Sequence, residues 1–300
     1  MTEVELKELI SQVVQQMGNT EIKKEKIEEA IKNVEDCDLK DISKIDIRDV
    51  IEIENPANEA ELMKYKKKTP ARIGIGRAGC RYKTSTMLRF RADHASAVDA
   101  VYTDVDPKFL ENNNLFTIQT QCESKDQYLT RPDLGRRLSK EAIETLREKA
   151  KKSPKVQVYV SDGLSSTAIE ANMEDTLPAI VNGLKSYGID VGTPFFLKYG
   201  RVGASDEIAE VLDAEVTCVL IGERPGLATS ESMSAYITYK GYVGIPESKR
   251  TVVSNIHKNG KPAAEAGAHI AHIIKKVRSE ERRVGKECLR LCRSRWSPYH

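Results

Sequence analysis

"AEVTCVLIGERPG", Ala214 to Gly226, holds the strand and the turn from which the fold can be read. Val216, Thr217, Cys218, Val219, Leu220 and Ile221 form an unbroken run of β-formers. A run of that length, apolar on both faces, belongs to a strand buried on both sides, as in a parallel sheet with helical cover. It ends on a carboxylate and a guanidinium, Glu223 and Arg224, followed by a Pro225-Gly226 turn. Such a charge pair either solvates a strand end or holds something there.

The same strand signature recurs upstream. "KVQVYV" (155–160) precedes the turn "SDGLSS" and a helical pattern running to about Tyr187. "TPFFLKY" precedes "SDEIAEVL", which reads as a short helix capped by Ser205 or Asp206. "KPAAEAGAHIAHIIKKVR" closes the series as a helix with Pro262 near its start. Strands alternating with helices predict an α/β fold, a parallel-sheet Rossmann-like core with helices on both faces. In such sheets ligands sit beyond the carboxyl ends of the strands, so "SDGLSS", "KYGRVGASD" and "GERPG" are the candidate loops. In "SDGLSS", Asp162 or Ser165 caps the following helix, and the free amides there could also receive a polar ligand group.

Ahead of the core, residues 45–150 read as a mostly helical α+β region. It includes a long helix through Met87, Leu88, Phe90 and Val98, a strand at "LFTIQTQC" and a capped helix at "SKEAIETLREKAKK". Leu6, Leu9, Ile10, Val13, Val14 and Met17 make one helical stripe over residues 1–18. Residues 19–44 form a charged linker, so the first helix is either a docking peptide or a frayed end. Residues 279–300, with six basic and three acidic residues and the chain's single Trp, differ in composition from all that precedes them. A basic tail could bind an acidic partner, but the stretch resembles translated cloning sequence and reads rather as a non-native tail.

The 300 residues carry a net charge of +2, which makes no general case for nucleic acid. No apolar run is long enough to span a membrane, and no leader follows Met1, so a cytoplasmic location is expected. The six cysteines form no C-x-x-C pair and read as free thiols. His269 and His272 lack companion ligands, so no metal site is expected. "GIGRAG", Gly74 to Gly79, matches a dinucleotide fingerprint by letter but lacks a convincing strand before it; a basic surface loop is the alternative. "RPDLGRRL" packs three arginines into eight residues, either a solvated face or a carboxylate clamp. No acid, base and nucleophile set emerges, and no catalytic residue is assigned.

Seven motifs, in order from about residue 50 to 278, resemble the small (light) subunit of ethanolamine ammonia-lyase: "GRAG", "LRFRADHA", "LTRPDLGRRL", "VSDGLSS", "GTPFFLKYGRV", "LIGERPGLATSES" and "SNIH". The resemblance implies a subunit of an adenosylcobalamin-dependent lyase that converts ethanolamine to acetaldehyde and ammonia by radical chemistry. The partner it implies is a large TIM-barrel subunit that carries the substrate site, with the cobalamin between the two. The family's cobalamin contacts fall on Val202, Glu223 and Val252; the last position is often Cys in relatives. Corrin rims carry amide N–H groups that need acceptors, which a strand-end carboxylate supplies. "ADHAS" does not fit D-x-H-x-x-G, so cobalamin is expected to keep its own base on cobalt. The resemblance also implies packaging in a bacterial microcompartment, with residues 1–18 meeting shell proteins. Residues alone leave two other readings open: an α/β assembly protein whose basic loops bind an acidic partner, and a NAD oxidoreductase built on "GIGRAG".

Overall fold

The computed structural model describes Ile42 and residues 45–279. The N-terminal stripe, nearly all of the linker and the basic tail beyond Ser279 lie outside the described residues.

The core is a six-stranded sheet in the order β3-β5-β4-β6-β7-β8: β3 (Phe116–Gln119), β4 (Val156–Ser161), β5 (Phe195–Lys198), β6 (Val216–Gly222), β7 (Met233–Tyr239) and β8 (Thr251–Ile256). β3, β5, β4 and β6 pair in parallel, as their continuous apolar runs require. β7 and β8 are antiparallel additions that the sequence reading passed over. Helix α5 (Lys140–Lys149) and helix α7 (Ala204–Leu212) lie on one face. Helix α6 (Ser166–Ser186) and helix α8 (Ala263–Arg278) cover the other. α6 and α8 cross closely because Gly183 faces Ala271 and Gly267 faces Ala179 and the Thr176 carbonyl. A Cβ on either glycine would come within 2.7 Å of its neighbour.

Cover is uneven. Met233, Ala235, Ile237 and Val253 are buried against α6 and α8. On the opposite face, Tyr236 is half-buried and Val252, its register partner, is exposed. The helices of the described residues therefore lie on both faces of the parallel core, as expected, and leave the Tyr236–Val252 part of the β7–β8 edge open.

Ahead of the sheet come α1 (Glu59–Lys66), a hairpin of β1 (Arg77–Ala78) and β2 (Arg81–Tyr82), α2 (Thr84–Tyr102), α3 (Pro107–Asn112) and α4 (Lys125–Thr130). α2 has a single buried residue, Ala100. The apolar positions read as its stripe, Met87, Leu88, Phe90 and Val98, are exposed by 41–52%. An apolar helix face of this kind marks a contact surface.

At the switch between β4 and β5 the chain crosses to opposite faces of the sheet, the place where open α/β sheets usually leave a ligand crevice. Here the crevice is filled from within. Asp162 Oδ1 accepts hydrogen bonds from the Tyr199 amide (2.8 Å) and the Gly163 amide (2.9 Å). Lys125 Nζ lies 3.7 Å from Asp162 Oδ2 and donates to the Gly163 carbonyl. The rings of Tyr128 and Tyr199 stack beside it, with centroids 6.2 Å apart. Tyr199 adopts φ +57°, a left-handed conformation rare for a bulky residue, which the Asp162 bond to its amide helps hold.

Burial pushes the Asp162 carboxyl up from 3.8 to about 6, against the pull of Lys125 and the amide donors. An acid with a raised folded pKa takes up its proton more readily folded than unfolded. Its contribution to stability therefore grows as pH falls from about 6 toward the ordinary carboxylate range, and is least above 6. The unfolding free energy of wild type relative to Asp162→Asn should accordingly rise between pH 7 and pH 4.5 in urea titrations. A difference independent of pH would show that Asp162 does not titrate in that window.

Candidate functional site

The three residues singled out in the sequence lie at different points of the α7 side of the sheet. Val202 precedes α7, in the loop that leaves β5. Glu223 is the first residue past β6. Val252 stands on β8. Two chains of hydrogen bonds join the places they occupy.

The first chain is buried. Arg250, two residues before Val252 and on the same face, has only 2% of its side chain exposed. Its NH1 and NH2 nitrogens bond the two oxygens of Asp206, each at 2.9 Å. NH1 also reaches Ser205 Oγ (3.1 Å) and Thr238 Oγ1 (3.0 Å), and Nε reaches Glu247 (2.6 Å). Burial works against the guanidinium charge, and the bonds to Asp206 and Glu247 more than restore it. Ser205 Oγ in turn donates to the Val202 carbonyl at 2.7 Å. Ser205 and Asp206 are therefore not the caps their position suggested: α7 starts at Ala204 after Gly203 with no side-chain cap. Their side chains turn inward to grip Arg250 instead.

The second chain lies at the surface. Tyr236 on β7 donates its phenolic hydrogen to Glu223 Oε1 at 2.8 Å. Tyr236 also pairs in register with Val252 and packs on the cluster of Val219 and Ile221. Glu223 is held by this tyrosine and not by its neighbour Arg224, which is exposed and has no ion pair among the described residues. Tyr236 had been missed in the sequence, although the alternation of "MSAYITY" would have put it on a sheet face. Its phenol is pushed up to about 12 by burial and by the bond to Glu223, so it stays a donor through the neutral range.

"RPDLGRRL" braces the Val202 loop. The Gly135 carbonyl accepts from the Arg201 amide, and the Arg136 stem runs along Gly203. Arg131 pairs with Asp133, and Arg137 lies 3.7 Å from Glu207. "SDGLSS" has little left to offer a ligand. Ser165 caps α6 through the Ala168 amide, while the amides of Gly163, Leu164 and Ser165 are satisfied within the chain.

"GIGRAG" is not a dinucleotide turn. Its residues lead into the antiparallel β1–β2 hairpin, and among the described residues no parallel strand precedes it. Gly76 lies against Lys83 and Glu52, and Glu52 binds the Gly76 amide and the Ser85 and Thr86 hydroxyls. In "ADHAS", Asp93 accepts from Arg72 and Arg89. Arg72 also donates to the Leu227 carbonyl at 3.1 Å, tying the loop beyond Glu223 to the helical layer. Among the described residues no group of His, Cys, Asp or Glu has metal-binding geometry, and no helix is long and apolar enough to cross a membrane.

The family described as Ethanolamine ammonia-lyase light chain matches residues 59–285. A protein of Fusobacterium nucleatum subsp. nucleatum named ethanolamine ammonia-lyase small subunit is 64% identical over 284 residues, which cover 92% of this chain and 96% of that protein. One of the same name from Clostridium tetani is 60% identical over 279 residues, covering 91% and 95%. Another, from Clostridioides difficile, is 53% identical over 280 residues, covering 92% and 96%.

Breaking a buried charge pair by removing one partner strands the other, at a cost of about 3–5 kcal/mol. Arg250→Ala should lower the unfolding free energy by that order in denaturant melts. Asp206→Ala combined with it should cost clearly less than the sum of the two single changes. Additive losses would show that the two residues do not act as a unit.

Proposed function

Because the chain belongs to the ethanolamine ammonia-lyase light-chain family, we propose that it closes one side of an adenosylcobalamin site whose other side is a large partner subunit. The reading is carried by one observation: Glu223, fixed through one oxygen by Tyr236, stands at the rim of a sheet face that the helices of the described residues leave open at Tyr236 and Val252.

The residues suit the group. A corrin is a broad apolar ring with amide side chains around its edge. Val252, 45% exposed, and the half-buried Tyr236 offer a flat apolar surface on rigid strands. Glu223 Oε2 accepts no hydrogen bond from the described residues and is open to an amide N–H. Val202, half-buried before α7, bounds the face on the side of the switch. Bound adenosylcobalamin supplies cobalt–carbon homolysis, the radical chemistry by which ethanolamine becomes acetaldehyde and ammonia. This chain's share is to accept from the corrin rim, to press apolar surface against the ring and to exclude water. Substrate handling falls to the partner.

The exposed stripe of α2 is where that partner is proposed to dock. Its apolar side chains are grouped on one helix, and Arg72 links the layer behind it to the carbonyl of Leu227, four residues past Glu223. Docking would thus bear on the loop that carries the cofactor contact.

A hydrogen bond to a charged group contributes on the order of 1.5–3 kcal/mol. Glu223→Ala should therefore weaken cobalamin binding by roughly 10- to 150-fold in absorbance titrations of the two-subunit complex. Glu223→Gln, which keeps an acceptor oxygen but not the charge, should fall between. Equal affinity for wild type and Ala would move the contact to the backbone.

Leu88→Glu places a charge in the proposed contact surface. It should weaken association with the large subunit at least about tenfold by gel filtration or titration, with the far-UV spectrum of the lone chain unchanged. Undiminished association would place the interface elsewhere.

A further inference from the structure

We infer that Tyr236 is a positioning residue for the cofactor: it takes one oxygen of Glu223 so that the other is presented to the ligand, and its ring floors the space between Glu223 and Val252. The inference rests on the reading of this face as a cobalamin surface, and it assigns a role to a residue the family resemblance did not name.

Three observations carry it. The β6–β7 ladder ends at Gly222, and just past it the Glu223 amide donates to the Ser232 carbonyl at 2.9 Å. The backbone of Glu223 is thus fixed, while its side chain keeps three rotatable bonds. Second, that side chain reaches the phenol of Tyr236, the register partner of Val219, four residues before Glu223 on β6. The carboxylate is thereby drawn back over the α7 face of the sheet, not left to extend beyond the strand end. Third, the strand alternation that directs Tyr236 to this face directs Val252 there too, since the two are paired across β7 and β8. Phenol, carboxylate and valine therefore share one surface, with the ring anchored below on the Val219 and Ile221 cluster.

The chemistry follows from what each group can donate or accept. A phenolic O–H has one hydrogen, and here it is committed to Oε1. The hydrogen bond is charge-assisted and directional, so it selects one rotamer of Glu223 from those open to a lone side chain. Oε2 is left with its lone pairs unused by the described residues. A ligand with amide N–H groups then meets an acceptor already in place and loses less freedom in binding it. Tyr236 need not bond the ligand itself.

Tyr236→Phe is the decisive variant, because it keeps the ring and its packing and deletes only the donor. The readout is the Kd of the reconstituted two-subunit complex for adenosylcobalamin and for cyanocobalamin, followed by absorbance. The expected result is binding weakened about tenfold for both. The Tyr236→Phe, Glu223→Ala double variant should bind no more weakly than Glu223→Ala alone, because a phenol that acts through Glu223 has nothing to orient once the carboxylate is gone. The KM for ethanolamine at saturating cofactor should be unchanged. Full additivity of the two changes would overturn the positioning role, as would a normal Kd for Tyr236→Phe beside a weakened Glu223→Ala. Either result would leave the cobalamin face standing. Normal cofactor affinity in both single variants would instead take the Glu223 carboxylate out of contact with the cofactor, leaving at most its backbone, and would overturn the inference. A raised ethanolamine KM with unchanged cofactor affinity would move Tyr236 to the substrate side and overturn the inference as well.

Discussion

The guanidinium of Arg250 is the fixed point of the sheet face proposed to meet the cofactor. It lies under α7, where an unpaired charge would be intolerable, and each of its three nitrogens is bonded to the chain. Through Asp206 it fastens the chain entering β8 to α7. Through Ser205 it meets the hydroxyl that holds the Val202 carbonyl. Through Thr238 it ties β8 to β7 on the same face. Val202 and Val252 lie far apart in the chain, yet their separation is set by side chains with almost no freedom. Loops alone would not give that precision, and the proposed site shared with another subunit would need it, since neither half could adjust alone to errors in the other.

Much of this architecture was legible in the residues. The runs at 155–160 and 214–222 could only be doubly buried strands, and they are. Ser139 and Ser165 were readable as caps because a hydroxyl just before a helical pattern has backbone amides within reach, and both cap. Ser205 and Asp206 met the same description and misled. A nearby buried cation competed for their oxygens, and local pattern carries no information about a residue 44 positions away. β7 and β8 were overlooked for a related reason. "MSAYITY" of β7 and "TVVSNI" of β8 lie outside the strand–helix rhythm, so a reading tuned to that rhythm passed over them. With them went Tyr236, the side chain that holds Glu223.

The motif "GIGRAG" shows the opposite failure, a pattern stronger than its context. Its glycines answer to local geometry. Gly74 and Gly79 have positive φ, and Gly76 leaves room for Glu52 and Lys83. The Glu52 carboxylate collects an amide and two hydroxyls around that turn and so shapes the layer from which α2 presents its apolar stripe. What resembled a cofactor loop is scaffolding for the layer that carries the exposed stripe of α2. The difference shows only when the loop's neighbours are known, because a glycine is demanded equally by a phosphate and by a crowded carboxylate.

The filled crevice at the end of β4 has a bearing on inhibition. A small molecule aimed at the usual ligand position of this architecture would have to displace the chain's own aspartate, lysine and stacked tyrosines. It would also have to strand a buried carboxylate that holds Tyr199 in a left-handed turn. Compounds directed instead at the exposed apolar stripe of α2 would meet a broad surface with no such network to displace. Macrocycles, or mimics of a helix face, match such a target in shape better than compact heterocycles do.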